Sequence, residues 1–357
     1  MNDAVISARR RSPLMVVLLW IAGMAILLAF PFIISKESYV LHVAIVIFFN
    51  VCLATSMWLI WSLGFVSFAH AGFMGIGAYT SALFLIRLGL PLWVGVWAGA
   101  LVGGVIAFVV SLPLMRTRAV YFFMASWAVG EVIKRIFAYY RGFFGGWEGL
   151  FNIKPPRMGP IDFADRTAYY YLAMVLMVMI VLMVQRINKS RTGWIFWSLH
   201  EAETLSSHVG IHALKYKVAA FTIASTMAAM TGALFAHYHG YINPKSFDIW
   251  MSEFALVHII VGGLSTVAGP VLGASILTLV DELLRPTEFF RIILFGVILI
   301  LTVLFLPGGL ESIPRRIRAR LWRLPEDGGT RRSIFSAFSR GTGKKTNPRE
   351  NRGAGKE

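Results

Sequence analysis

Charge is what this sequence has least of. Asp, Glu, Lys and Arg make up 15% of its 357 residues, against 57% that are hydrophobic. A soluble domain of this length carries about a quarter of its residues as charges to cover its surface. The shortage, with a mean hydropathy of +0.67, argues against a soluble enzyme and for a lipid solvent. Cysteine is nearly missing too: Cys52 is the only one. There is then no disulfide framework, and a lone thiol inside an apolar run reads as a buried structural one. No G-x-x-x-x-G-K-[ST] occurs, so the chain has no phosphate-cradling loop of its own. The superficially similar GTGKK at 341–345 lies in a polar tail with no strand before it. His208 and His212 are four residues apart, but no HExxH accompanies them, so they read as a solvated helix face and no metal site is expected. His237 and His239 flank Tyr238 at a helix end, where interfacial residues are ordinary. Acidic residues within apolar runs are scarce. Glu131, with Lys134 and Arg135 close behind, reads as a local ion pair and not as the relay of a proton- or sodium-driven carrier. Energy for transport would come from outside the chain.

What is present is a series of apolar runs long enough to cross ~30 Å of hydrocarbon. They occupy 14–34, 39–61, 73–87, 92–115, 120–140, 169–185, 216–236 and 289–306. A further run, 254–284, is interrupted by Gly262, Gly263, Gly269 and Pro270. The fold expected is an all-α polytopic membrane domain over 14–310, with about eight full transmembrane helices. A basic N-terminus (1–13) and a basic tail (311–357) flank it. The first run is longer than a signal-peptide core and is followed by no small-x-small cleavage site; it reads as a retained helix.

Four stretches carry nearly all of the formal charge of +16: the N-terminus to Pro13, the turn Met115–Arg118, the stretch 185–217, and the tail from Glu311 onward. Helix alternation puts them on one face, which the excess of Lys and Arg makes cytoplasmic, termini included. That holds only if 254–284 enters and leaves on the outer side, as a re-entrant pair of short helices. Irregular backbone at that depth needs protein or a water-filled cavity around it. A similar glycine-rich stretch, GFVSFAHAGFMGIGA, follows the second run. Set against GGLSTVAGPVLGA, its Gly64 and Ser67 match Gly262 and Ser265. An internal repeat of the transporter kind and plain close packing of small residues both account for the match.

The stretch TGWIFWSLHEAETLSSHVGIHALKYK (192–217) is polar in apolar surroundings. Ile195, Leu199, Ala202, Leu205 and Val209 recur at helical spacing, and Gly210 closes the run as a helix C-terminus would. One amphipathic helix on the cytoplasmic face is expected. It could lie in the lipid surface, but Glu201 and Glu203 are acidic where lipid would favour Lys or Arg, so a groove on another protein suits it better.

SFAHAGFMGIGAYTSALF, SRTGWIFWSLHEAETLSSHVGI, GALFAHYHGYINPKSF and VGGLSTVAGPVLGA together resemble the permease subunits of bacterial ATP-driven importers for branched-chain amino acids. The likeness runs from about Leu63 to Pro307. Ala69 stands where that family usually has Gly, and 194–197 replaces a more basic stretch. The resemblance implies a second permease subunit, two cytoplasmic ATPase subunits that bind the ATP, and a periplasmic binding protein facing the loop 141–167, all at a bacterial inner membrane. No cofactor and no nucleic-acid partner is expected, and the tail is read as lying near anionic lipid. Arg191, Gly193, Glu201, Glu203 and Gly210, in a loop spanning 186–215, match the family's ATPase-coupling segment. The pathway expected comprises Gly64, Ser67, His70, Gly72, Gly263, Ser265, Thr266 and Pro270. Its small polar side chains suit a neutral zwitterion. Urea or a short amide is the alternative within the family, and a stand-alone channel or facilitator is the alternative outside it.

Overall fold

A computed structural model of the chain describes residues 39–155, 157–158, 161–285, 288–305 and 308–312, with residue 25 and residues 27–32 of a preceding helix. Most of the expected first helix (14–34), the N-terminus and the basic tail lie outside the described residues. The principal helices are α1 (Tyr39–Trp61), α2 (His70–Leu88), α3 (Leu92–Leu114), α4 (Ala119–Tyr139), α5 (Arg166–Lys189), α6 (Arg191–Glu201), α7 (Glu203–His208), α8 (Ala213–His239), α9 (Ile249–Gly262), α10 (Ala268–Leu283) and α11 (Glu288–Phe305). Between α4 and α5 lie a short helix, Arg141–Phe144, a 3-10 turn, Gly146–Glu148, and a two-stranded hairpin of β1 (Arg157–Met158) with β2 (Ile161–Asp162).

Among the described residues, five helices, α1, α2, α3, α5 and α8, are long and apolar enough to cross a membrane. In hydrocarbon every backbone N–H and C=O must be paired within the segment, and these sequences offer no interior proline to prevent it except Pro113, in the last turn of α3. The helix ends are set by local chemistry. Gly89 ends α2 in the left-handed region (φ 63), and Pro91 precedes α3. Asp165 caps α5 by accepting from Thr167 N–H, and Asp248 caps α9 by accepting from Ile249 N–H. Helix α1 is buried almost throughout and forms the hub: α5, α8, α9 and α10 pack on it. Helix α8 packs against α2 and α3 with backbones almost touching. A Cβ on Gly77 would fall inside the carbonyl of Ala229, and one on Gly232 inside that of Met74. Small residues let membrane helices approach this closely, and dispersion then replaces the missing hydrophobic force between them.

The broken run 254–284 is a hairpin. Helices α9 and α10 have 14 and 16 residues, roughly 21 and 24 Å, and pack face to face at Gly262, Gly269 and Gly273. Three hydrogen bonds align α10 antiparallel to α1 along its length. Arg285 donates to Tyr39 Oη (2.7 Å), Asn50 donates to Thr278 Oγ1 (2.9 Å), and Trp58 Nε1 donates to the Leu264 carbonyl (3.1 Å). The hairpin therefore returns to the Tyr39 end of the bundle, with its tip at the Trp61 end. Helix α11 then leads back, because Glu311 beyond it accepts from Thr266 Oγ1 in the tip. The interruption spans 263–267, shorter than the Gly262–Pro270 break expected.

Candidate docking and translocation sites

The polar stretch does not form one helix. Ala202 adopts φ −153 and ψ 83, and divides it into α6 and α7. The corner is stitched by Ser206, whose Oγ lies 2.7 Å from Ser198 Oγ and donates to the Ser198 carbonyl at 3.1 Å. The turn takes the expected stripe apart. Leu199 is buried, with Phe196 beside it in the core, whereas Leu205 and Val209 are 68% and 76% exposed. The expected stripe needs one continuous helix axis through Ala202, and the axis turns there.

The expected coupling residues have different duties. Gly193 lies so close to the carbonyls of Ile187 and Asn188 that any side chain would collide with them, so it permits α6 to fold back on the end of α5. Gly210 (φ 86) ends α7, with Gly210 N–H on Ser207 O and Ile211 N–H on Ser206 O, the paired bonds of a Schellman close. Arg191 and Glu201 are exposed. Glu203 is engaged within the chain: its Oε1 lies 2.6 Å from Nζ of Lys217. Lys217 is nearly buried and also sits 4.7 Å over the ring of Phe65. The outward surface at this end is Arg191, Trp194, Glu201, Leu205 and Val209.

The eight expected pathway residues fall into two groups, one at each helix break. Gly64 (φ 81) and Ser67 lie in the break between α1 and α2, and His70 and Gly72 in the first turn of α2. His70 is fully buried, with Nε2 2.8 Å from Ser56 Oγ, and Gly72 abuts Gly130 and Ile133 of α4. Gly263 (φ 126), Ser265 and Thr266 lie in the hairpin tip, and Pro270 in the first turn of α10. Ser265 is exposed, and Gly263 packs under Glu311.

None of the eight lines either of two polar cavities. One, of about 340 Å³, lies between α1, the segment entering α9, and α10; its wall includes Asn50, Asp248, Met251, His258, Thr278 and Asp281. The Asn50–Thr278 hydrogen bond spans it, and the Nδ1 atom of His258 is buried there without a partner. At its rim, burial opposes ionisation of Asp248, but Lys134 Nζ at 2.8 Å and the Ile249 N–H outweigh that and hold the carboxyl below its usual range. Lys134 also binds Glu131 at 2.6 Å, and Arg135 binds the same carboxylate at 2.9 Å, so the expected local ion pair is a four-membered network with Asp248. The second cavity, of about 400 Å³ at the Tyr39 end, is bounded by His42, Arg166, Tyr169, His237, Tyr238 and His239. His237 is not a free interfacial residue: it is buried, and its ring spans Ser81 Oγ and the Lys154 carbonyl. Asn50 and His258 escaped the sequence reading, although a polar side chain in an apolar membrane helix is itself a signal of function.

Beyond this end, the first part of the loop, 141–151, is held by pairing. Leu150 bridges Ile242, Arg141 binds Glu148 at 2.7 Å, and Phe151 stacks on Tyr241 at 4.5 Å. Trp147 and Phe151 remain more than half exposed.

Tightly packed helices, a glycine-broken hairpin and polar cavities among apolar segments define a multi-pass membrane permease. Comparison with known proteins gives the family. The chain belongs to the branched-chain amino acid transport system permease components, whose family model matches residues 39–303. It is 26% identical over 317 residues to the high-affinity branched-chain amino acid transport system permease protein LivM of Salmonella typhimurium, covering 82% of this chain and 74% of that one. LivM of Escherichia coli K12 is 25% identical over 318 residues, covering 83% and 75%. A shorter match, 29% over 154 residues and 40% of this chain, is to the autoinducer 2 import system permease protein LsrC of Yersinia enterocolitica, of which 42% is covered.

Proposed function

We propose that this chain is the permease subunit of an ATP-driven importer that admits branched-chain or similar apolar amino acids across a bacterial inner membrane, with both termini cytoplasmic. What carries the reading is the match to LivM, which runs through most of both chains. Through this chain and a second permease subunit, substrate released by a periplasmic binding protein crosses. Two ATPase subunits bind and hydrolyse ATP and seat against the surface of α6 and α7, where Trp194, Glu201, Leu205 and Val209 are exposed. The exposed aromatics of the 141–167 loop suit contact with the binding protein.

In this reading the cavity between α1, α9 and α10 borders the pathway; its wall, polar at Asn50, His258 and Thr278, charged at Lys245, Asp248 and Asp281 and apolar at Leu53, Met251 and Phe254, suits a small zwitterion with an apolar side chain. The two helix breaks, with Ser67 and His70 at one and Ser265 and Thr266 at the other, act as moving parts beside it. The test is reconstitution. Liposomes holding the complete assembly should take up leucine, isoleucine or valine only with ATP and binding protein, and should ignore urea. Flux through the permease alone, or preference for urea, would overturn the proposal.

A further inference from the structure

Helix α6 reaches both helix breaks through one continuous set of rings. Trp197 and His200, one turn apart, stack with centroids 5.6 Å apart and planes 11° from parallel. His200 meets the edge of Trp61 at 5.8 Å and lies against Gly64, where an added Cβ would stand 3.4 Å from its Cδ2. Trp197 meets Trp58 at 6.1 Å. Trp58, fully buried, donates its indole N–H to the Leu264 carbonyl in the hairpin tip. Trp197 is held in turn by donation to Asn188 Oδ1 at 3.0 Å. The ends of this path are Gly64 and Leu264, the latter adjoining Gly263. Both glycines have φ values that L side chains rarely adopt. Along the path one polar atom is unmet: His200 Nδ1 is buried and has no partner.

We infer that Trp197 and His200 are positioning residues that deliver a displacement of α6 to the two helix breaks, His200 to Gly64 directly and Trp197 to the hairpin tip by way of Trp58. Close-packed rings pass a shift on and do not absorb it, because few voids lie between them, and aromatic side chains have few torsions to relax. The exposed face of α6 receives the push; its inward face carries it. This inference rests on the proposed function, since only a chain driven at α6 has a displacement to transmit.

The experiment reads the tip itself. In a Cys52→Ala background, Ser265→Cys places a thiol on an exposed tip residue, and its rate of reaction with a water-soluble maleimide is measured in the permease–ATPase assembly with and without a non-hydrolysable ATP analogue. The rate should change by about fivefold or more on nucleotide addition, the lower end of ordinary coupling between sites. Trp197→Phe should retain the response and Trp197→Ala should lose it, with the ATPase co-purifying in both. If Trp197→Ala responds as the parent does, the inference falls and the proposed function stands. If the parent binds no ATPase or shows no response, the proposed function falls and takes the inference with it. Should Trp197→Ala fail to fold, Trp58→Phe keeps a ring but removes the donation to Leu264; an undiminished response there also overturns the inference.

Discussion

The pair Glu203–Lys217 makes an asymmetric prediction. The lysine side chain is 5% exposed and the glutamate 50% exposed, so removing one partner strands a buried cation, while removing the other leaves an acid that water can reach. Breaking a wholly buried pair costs ~3–5 kcal/mol, and an exposed pair is worth about 0–1 kcal/mol. With one member half in solvent, Glu203→Gln should cost about 2 kcal/mol, part of the ammonium's stabilisation surviving on the Phe65 ring. Lys217→Met keeps the stem that fills the site and should cost about 0–1 kcal/mol. The double variant should resemble Lys217→Met. Thermal unfolding of the purified protein in detergent reads the difference: domains of about 150–250 residues shift by ~2–4 °C per kcal/mol and longer chains by less, so Glu203→Gln should fall by no more than about 4–8 °C and Lys217→Met by about half that at most. Equal losses in the two single variants, or a double variant no better than Glu203→Gln, would refute the reasoning that burial decides the cost.

Gly77→Leu should abolish the contact of α2 with α8, because the side chain would occupy the Ala229 carbonyl; size-exclusion chromatography should show aggregate in place of monodisperse protein. Thr266→Val leaves the nearly buried Glu311 carboxylate without its hydroxyl donor and should lower stability by about 1–3 kcal/mol, seen as earlier unfolding in a detergent melt. Cysteine at Ser265 should react with impermeant reagent only from the cytoplasmic side of sealed vesicles, and cysteine at Trp147 only from the other; the reverse would invert the orientation argued from charge. His258→Leu in the 340 Å³ cavity should reduce ATP-driven uptake about tenfold, ~1.4 kcal/mol, with little effect on folding.

Much of the fold is legible without coordinates because lipid leaves the backbone few options. Runs of apolar residues become helices, and the observed α3, Leu92–Leu114, ends within a residue of the run that marks it. The hairpin was legible from parity: four basic stretches on one face require 254–284 to return where it entered, and the bonds joining Tyr39, Asn50 and Trp58 of α1 to Arg285, Thr278 and Leu264 show that it does. The candidate site was less legible. Periodicity assumes a straight axis, so it merged α6 with α7 and made a stripe of residues that point apart. Glu203 read as an outward acid because its partner, Lys217, is fourteen residues away on another helix. The polar cavity was missed because Asn50 and Thr278 meet across 228 residues of sequence, a separation at which no local pattern survives.

Composition and the order of apolar runs determined by themselves that the chain crosses a membrane many times and that the run 254–284 is broken near its glycines. A solvent without hydrogen bonds imposes those features on each segment separately. Which side chains meet was left to tertiary structure: the closure of α8 on α2 through Gly77 and Gly232, the burial of Lys217 against Glu203, and the rings linking α6 to both breaks. Those contacts depend on distances between segments, and packing alone sets such distances.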